Sequence, residues 1–261
     1  MRRILLLLLF LSVSEYAESQ ENAFFDQPTF EKLVSVKETF RYEVKYGFFK
    51  LGWVEVTLLS DTLYNGRVHQ HLITKMESNS KIPFMGTEID HYHSFFYENE
   101  DGIPVTSLYW KDNLDEEKEK EIIYSFDRET NSVAYKEEDG EEGMLDLIEP
   151  ATAGHIIFYF SRLFAGGDEP SSMPVYIAKG VGYIHFENSP ELEKRKYRPF
   201  GKIEAYMTRG KTENLEGPFG FSGDFRAWFL NDDLRVPLEA RVKVFLGNAI
   251  IKLIEYEKEE R

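Results

Sequence analysis

No cysteine occurs anywhere in the 261 residues. That excludes disulfides, thiolate nucleophiles and cysteine metal ligands. It also removes the residue through which a bacterial lipoprotein is acylated. Tryptophan (3) and histidine (6) are scarce. Long apolar runs are missing too: the segment from Ile4 to Leu11 falls far short of the ~20 residues a membrane-spanning helix needs. No phosphate cradle is present, because Gly180-Val181-Gly182 lacks a third glycine and a strand-to-helix context, and Lys179 does not hold a Walker position. Positive charge is in deficit: 31 Lys and Arg against 46 Asp and Glu give a net charge of -15. Such a surface repels phosphate backbones, which excludes nucleic acid as a partner.

The N-terminus carries an address. Arg2 and Arg3 precede the short apolar run, and Ala17 and Ser19 stand at the spacing a signal peptidase reads. The expectation is a signal peptide over residues 1–19, removed after Ser19, followed by an N-terminal extension over 20–36 that packs loosely or is partly disordered, and a single curved antiparallel β domain over 37–261. The mature protein is expected in the periplasm, soluble, not a lipoprotein, and with no transmembrane segment after cleavage. A chain of this length buries roughly 70% of its surface and does not need disulfide staples.

Aromatic residues make up 15% of a chain that is 30% charged, and the two alternate. Phe40, Tyr42, Val44, Tyr46 and Phe48 interleave with Arg41, Glu43 and Lys45, a period of two that predicts a half-buried strand. A reversal at Leu51-Gly52 leads into Trp53 to Leu59. Arg67 to Ser78 and Ile89 to Glu98 form a predicted hairpin through Ile82, Pro83 and Gly86. Further strands are expected over 103–110, 119–126, 132–136, 175–178, 184–187, 203–208, 224–230, 237–246 and 249–257, with Gly247-Asn248 as the last turn. The acidic blocks 115–121 and 137–142 read as solvated loops and strand faces, and 191–198 as a basic solvated loop.

One segment breaks the pattern. From Ala151 to Ala165 the apolar residues Ile156, Ile157, Phe160, Leu163 and Phe164 have helical spacing, and Gly166-Gly167 supplies a C-terminal stop. The fold class is therefore mainly β with a minor α part: a strongly curved antiparallel sheet, or a partly closed β-barrel, cupping one helix. The charged strand faces do not suit an outer-membrane barrel.

Candidate chemistry is sparse, and no cofactor is implied. His69 and His71 share one face of a strand, as do His91 and His93 on the next. With a hairpin centred near Lys81 they would form a four-imidazole patch able to hold Zn or Cu. The Pro83-Phe84-Met85-Gly86 loop suggests a centre further along, which would offset the pairs; the plainer reading is of half-buried strand histidines. Gly220-Phe221-Ser222-Gly223-Asp224 departs from a nucleophile elbow because its second glycine comes one position early. Asp232 and Asp233 read as turn residues, since neighbours on an extended chain face opposite ways and do not form an acid–base pair.

Two stretches carry a resemblance: Tyr42-Glu43-Val44-Lys45-Tyr46-Gly47 with Lys50-Leu51-Gly52, and Trp228-Phe229-Leu230-Asn231-Asp232-Asp233-Leu234-Arg235-Val236-Pro237. Together with Asp90 to Ser94, Pro104, Ser125-Phe126-Asp127 and a helix ending near Arg162, they resemble the exported bacterial family known as domain of unknown function 3108. The resemblance implies a fold related to the periplasmic lipoprotein carriers, and ligand carriage or envelope assembly rather than catalysis. It brings no catalytic residues.

The reading from sequence is thus a non-enzymatic periplasmic protein that binds an apolar envelope ligand, a lipid or acyl chain. Phe95, Tyr97, Trp110, Tyr124, Ile156, Phe160 and Trp228 are the candidate pocket residues. The alternative is a structural module of the envelope that docks another protein; a metal-dependent or serine hydrolase ranks third. Oligomeric state is left open.

Overall fold

A computed structural model describes residues 25–82, 88–113, 122–215, 223–244 and 247–261. The predicted signal peptide and the first part of the extension lie outside the described residues, as do most of the elbow-like segment and the 115–121 acidic block.

The chain opens with a one-turn helix α1 (Phe30–Val34) and continues through β1 (Val36–Tyr46), β2 (Phe49–Leu58), β3 (Thr62–Tyr64), β4 (Arg67–Ser78), β5 (Ile89–Glu98), β6 (Pro104–Asn113), β7 (Ile122–Asp127), β8 (Ser132–Lys136), β9 (Glu142–Asp146) and β10 (Thr152–Ala153). A helical segment follows, in which α2 (Ile157–Phe160) is flanked by 3-10 turns at Gly154–Ile156 and Ser161–Leu163. The rest is β11 (Ser171–Ile177), β12 (Gly180–Glu187), β13 (Leu192–Tyr197), β14 (Gly201–Glu213), β15 (Asp224–Leu230), β16 (Pro237–Val244) and β17 (Gly247–Glu260).

These strands form one long curved sheet, mainly antiparallel. From β10 it runs through β11, β12, β14, β15, β16 and β17 to β1, then through β2, β4, β5, β6, β7 and β8 to β9. The β10–β11 pair is parallel. The sheet does not close. Where β6 meets β10 the backbone contact is one hydrogen bond, from Thr106 N to Ala151 O at 2.9 Å.

Two apolar clusters fill the inside of the curve. The larger unites Phe40, Leu58, Leu72, Phe96, Ile184 and Leu253 with Ile156, Ile157 and Phe160 of the helical segment. The smaller joins Tyr109, Tyr124, Phe126 and Val133 to Ala151, Ala153 and Tyr176.

Several expectations are corrected. The β1–β2 reversal lies at Gly47-Phe48, not Leu51-Gly52: Tyr46 pairs with Phe49, and Gly47 takes φ +57°. Gly52 sits inside β2, where a Cβ would fall 2.1 Å from the Glu77 carbonyl oxygen, so this glycine permits close strand approach. Gly247 and Asn248 already pair with Val244 and Lys243, which puts the last reversal before them. Residues 192–197 are a paired strand rather than a solvated loop.

The expected helix over 151–165 shrinks to a single α turn between 3-10 turns. Gly154 sits at φ +55°, and the Tyr109 ring occupies the place of its missing Cβ, 2.2 Å away. A left-handed residue interrupts a right-handed helix, and Thr152 and Ala153 are taken up by β11. Within the extension, Phe30 and Leu33 are buried, and Tyr159 Oη donates to Leu33 O at 3.0 Å. Thr29 caps α1 through Lys32 N.

Two buried arginines fix the helical segment and the β15–β16 corner. Arg162 donates to both carboxylate oxygens of Glu38, at 2.7 and 3.1 Å, and to Leu234 O at 2.8 Å; Tyr256 Oη donates to Glu38 at 2.8 Å. Arg235 donates to the Ala165, Asp232 and Phe25 carbonyls. Asp232 acts as a turn residue, its carboxylate accepting from Val236 N, while Asp233 pairs with Lys32 at 2.9 Å.

Candidate functional site

An apolar cavity of about 120 Å³ lies between the sheet and the helical segment. Strand alternation builds its wall. Phe40 and Tyr42 of β1 stand opposite Val56 and Val54 of β2, which stand opposite Thr74 and Met76 of β4. On the other side Phe225 and Ala227 of β15, Ala240 of β16 and Ile251 of β17 continue the same row. Ile157, Phe158 and Tyr159 supply the facing wall. Phe158 is 43% exposed, so the cavity meets solvent beside it. Val54, Val56, Met76, Phe225, Ala227 and Ile251 are only half-buried, whereas Leu58, Leu72 and Phe96 at the far end of the same sheet face are buried.

Polar groups around the cavity are largely engaged within the protein. Tyr42 Oη donates to Pro237 O at 3.1 Å, Thr208 Oγ1 to Asn188 Oδ1 at 3.0 Å, and Ser161 Oγ to Phe158 O at 2.9 Å. His155 also borders the cavity. Its Nδ1 lies 3.5 Å from Tyr109 Oη, its ring centroid is 4.5 Å from that of Tyr92, and its buried Nε2 has no hydrogen-bond partner. Burial pushes this imidazole down to about 4, so it is neutral at pH 7. The wall is mostly hydrocarbon, and the carboxylate that joins it, Glu239, is buried and paired with Arg195 and Arg241 at 3.3 and 2.7 Å.

The sequence-predicted pocket residues part company. Trp228 borders the cavity, but its ring is engaged by Arg195 and Arg241, at 4.2 and 5.1 Å from the centroid, and its indole N–H donates to Glu193 at 2.8 Å. Ile156 and Phe160 are fully buried in the larger core cluster, beside the cavity wall but not in it. Tyr124 belongs to the smaller cluster and donates to Glu137. Phe95, Tyr97 and Trp110 do not line the cavity. They lie in an aromatic layer with Tyr64 and the histidines, on the sheet face opposite Leu72, Thr74 and Phe96.

That layer holds His69, His71 and His93. The β4–β5 register places Ile73 opposite His93 and Lys75 opposite His91, offset by four residues from the arrangement a four-imidazole patch requires. His71 Nε2 and His93 Nδ1 are 2.9 Å apart, His93 Nε2 lies 3.0 Å from Asp112, and the His93 ring stacks on Trp110 at 4.6 Å. His69 is instead held between Ser107 Oγ, at 2.8 Å, and Arg67 O. His91 stands beside Lys75. Burial, with His93 adding to it, pushes His71 down to about 4. Among the described residues no three His, Asp or Glu side chains form a group that could hold a metal ion.

Cavity residues that the sequence reading did not assign include Tyr42, Val54, Val56, Phe225 and Ile251. Their alternation was visible; which face of the curved sheet would be the inner one was not.

No family profile matches the sequence, and no curated protein matches it. Solved structures are similar in shape. A β-barrel-like protein of domain of unknown function DUF1849 from Brucella abortus aligns over 86% of this chain and 98% of its own, with TM-score 0.51 and 10% identity. A protein described as exported, with a YmcC-like fold, from Bacteroides fragilis aligns over 90% and 100%, with TM-score 0.35 and 7% identity. A protein described as a lipoprotein from Parabacteroides distasonis aligns over 90% and 98%, with TM-score 0.34 and 8% identity. The first of these likenesses establishes a shared β-barrel-like fold. Among the described residues no helix is long and apolar enough to cross a membrane.

Proposed function

We propose that this is an exported, non-enzymatic protein of the bacterial envelope that binds an apolar group in the cavity between the curved sheet and the helical segment. The observation that carries the reading is the wall itself: Phe40, Val54, Val56, Met76, Phe225 and Ile251 converge on unfilled space, and the nearby hydroxyls of Tyr42, Thr208 and Ser161 are satisfied elsewhere. An unfilled apolar space in a packed interior is costly and is stabilised by an apolar occupant. The N-terminal Arg2-Arg3, apolar run and Ala17–Ser19 pattern supports export, and the motif resemblance to domain of unknown function 3108 supports carriage over catalysis.

The volume limits the ligand. About 120 Å³ is close to an engineered apolar cavity of about 150 Å³ that takes up benzene. It accommodates one ring or the end of an acyl chain, with the remainder of a larger lipid outside near Phe158. Mass spectrometry of organic extracts from the exported, purified protein tests this: a stoichiometric acyl-bearing species is expected. Clean extracts, together with no uptake of short-chain fatty acids or alkylbenzenes by calorimetry, would refute it.

A further inference from the structure

On one side the apolar wall of the cavity ends against a polar corner. Thr74 and Met76, which line the cavity from β4, stand opposite Tyr92 and Asp90 of β5, and Tyr92 in turn stands opposite Lys111 of β6. Cross-strand partners share a face, so these polar side chains continue the surface of the cavity toward β6. Asp90, Tyr92 and Lys111 are half-buried rather than sealed. Lys111 Nζ meets Asp90 at 3.1 Å and also meets Glu138, so two carboxylates share one ammonium.

His155 joins this corner to the mouth of the cavity. It borders the cavity, its ring centroid lies 4.5 Å from that of Tyr92, and Phe158, beside which the cavity meets solvent, follows three residues later on the same helical segment. Residues at that spacing are neighbours on a helix surface. The His155 Nε2 atom is buried and has no hydrogen-bond partner. A polar atom shut off from water and left unpaired is costly, and a group carried in by a ligand removes that cost. Reaching the nitrogen takes a side-chain shift at the mouth, where Phe158 is 43% exposed and has room to turn outward.

The corner discriminates among the head groups an apolar chain can carry. A carboxylate or phosphate brings negative charge to a place where Asp90 and Glu138 already outnumber Lys111. An ammonium needs Nε2 as an acceptor and faces Lys111. A hydroxyl carries no charge, pairs with Nε2 in whichever tautomer the ring holds, and can also donate to the Asp90 carboxylate. We infer that the occupant of the cavity is a single-chain amphiphile with an uncharged, hydroxyl-bearing head: its apolar end lies among Phe40, Val56 and Ile251, and its hydroxyl lies at the mouth between His155 and the Asp90–Tyr92 corner. Long-chain alcohols and monoacylglycerols belong to this class; free fatty acids do not. The inference rests on the apolar binding proposed above and adds the chemistry of the head.

The test is calorimetric titration of the purified protein at neutral pH with octanol, octanoate, octylamine and, as a probe without a polar head, propylbenzene. In the natural sequence octanol should bind at least about tenfold more tightly than octanoate or octylamine. Asp90→Asn, which removes one of the two carboxylates, should bring octanoate to within about threefold of octanol and leave propylbenzene uptake unchanged. His155→Phe should weaken octanol about fivefold relative to propylbenzene in the same variant, the worth of one hydrogen bond. Reading each variant against its own propylbenzene affinity keeps a general loss of folding from imitating the result, and the ranking in the natural sequence needs no variant. Propylbenzene uptake with octanoate or octylamine bound as tightly as octanol overturns the head assignment and leaves the proposed function standing, as does a ranking that Asp90→Asn does not change. Uptake of none of the four overturns both.

Discussion

Arg162 and Glu38 form a two-bond ion pair from which solvent is wholly excluded, joining the end of the helical segment to the start of β1. The pair holds the wall of the cavity against the sheet. The Arg162 guanidinium also lies 4.9 Å from the Tyr159 ring centroid and 5.3 Å from that of Phe40, so two cavity residues are oriented by it. Removing one partner strands a buried charge, which costs about 3–5 kcal/mol. Glu38→Gln should lower unfolding stability in urea by roughly that amount and weaken uptake of an apolar probe. A loss below about 1 kcal/mol would show that Arg162 finds another acceptor.

Ala227 borders the cavity from β15. Ala227→Phe adds a ring to a space of about 120 Å³, nearly filling it. Calorimetric uptake of an alkylbenzene should vanish, while overpacking costs no more than about 1–3 kcal/mol. Undiminished uptake would place the binding space elsewhere.

Gly154 should not tolerate a side chain. Gly154→Ala puts a methyl 2.2 Å from the Tyr109 ring at a φ of +55°, and we expect a loss of about 2–4 kcal/mol from overpacking and backbone strain combined. Thermal unfolding measures it. A loss no larger than that of a surface alanine would mean that Tyr109 moves aside freely.

Acid should destabilise the fold through His71 and His155. Burial is the main cause that pushes each down to about 4, from the ordinary value of 6.5. The unfolded chain therefore binds more protons between those values. This contribution is complete above pH ~6.5, declines as the pH falls through the window, and is lost below pH ~4. At ~1.4 kcal/mol per pKa unit the two together supply at most several kcal/mol, reduced for His71 because it is partly exposed to screening solvent. Urea midpoints at pH 7 and pH 4.5 should differ by less in His155→Phe than in the natural sequence. Equal differences would sink the assignment.

Much of the sheet was legible because alternation is a local signal. β4, β5, β8 and β15 lie where the period-two pattern puts them, and the predominance of β structure followed from it. What local pattern does not carry is which face of the curved sheet lies inside. Phe95, Tyr97 and Trp110 alternate as well as Phe40 and Tyr42 do, yet they lie on the other face, because inner and outer are decided by strands distant in sequence. Turns failed for a related reason: Gly52 and Gly247 looked like reversals, but Gly52 answers to a neighbouring strand and Gly247 already pairs with Val244. Helical spacing over 151–165 was real as an apolar pattern. It was overridden by Tyr109, forty-odd residues away, pressing on Gly154.

The place where β6 meets β10 has one last implication. In a fully closed barrel the girth is set by backbone ladders, which no single side chain alters. Here the backbone contributes the Thr106–Ala151 bond, and the joint is otherwise latched by side chains. Tyr176 Oη donates to Asp146 O and accepts from Ile148 N, Tyr124 Oη accepts from Lys179 N, and Lys179 Nζ reaches Asp139 and Glu141. Backbone ladders thus set the girth everywhere but at this joint, where substitutions of single side chains can alter the fit of the two sheet ends without disturbing a strand.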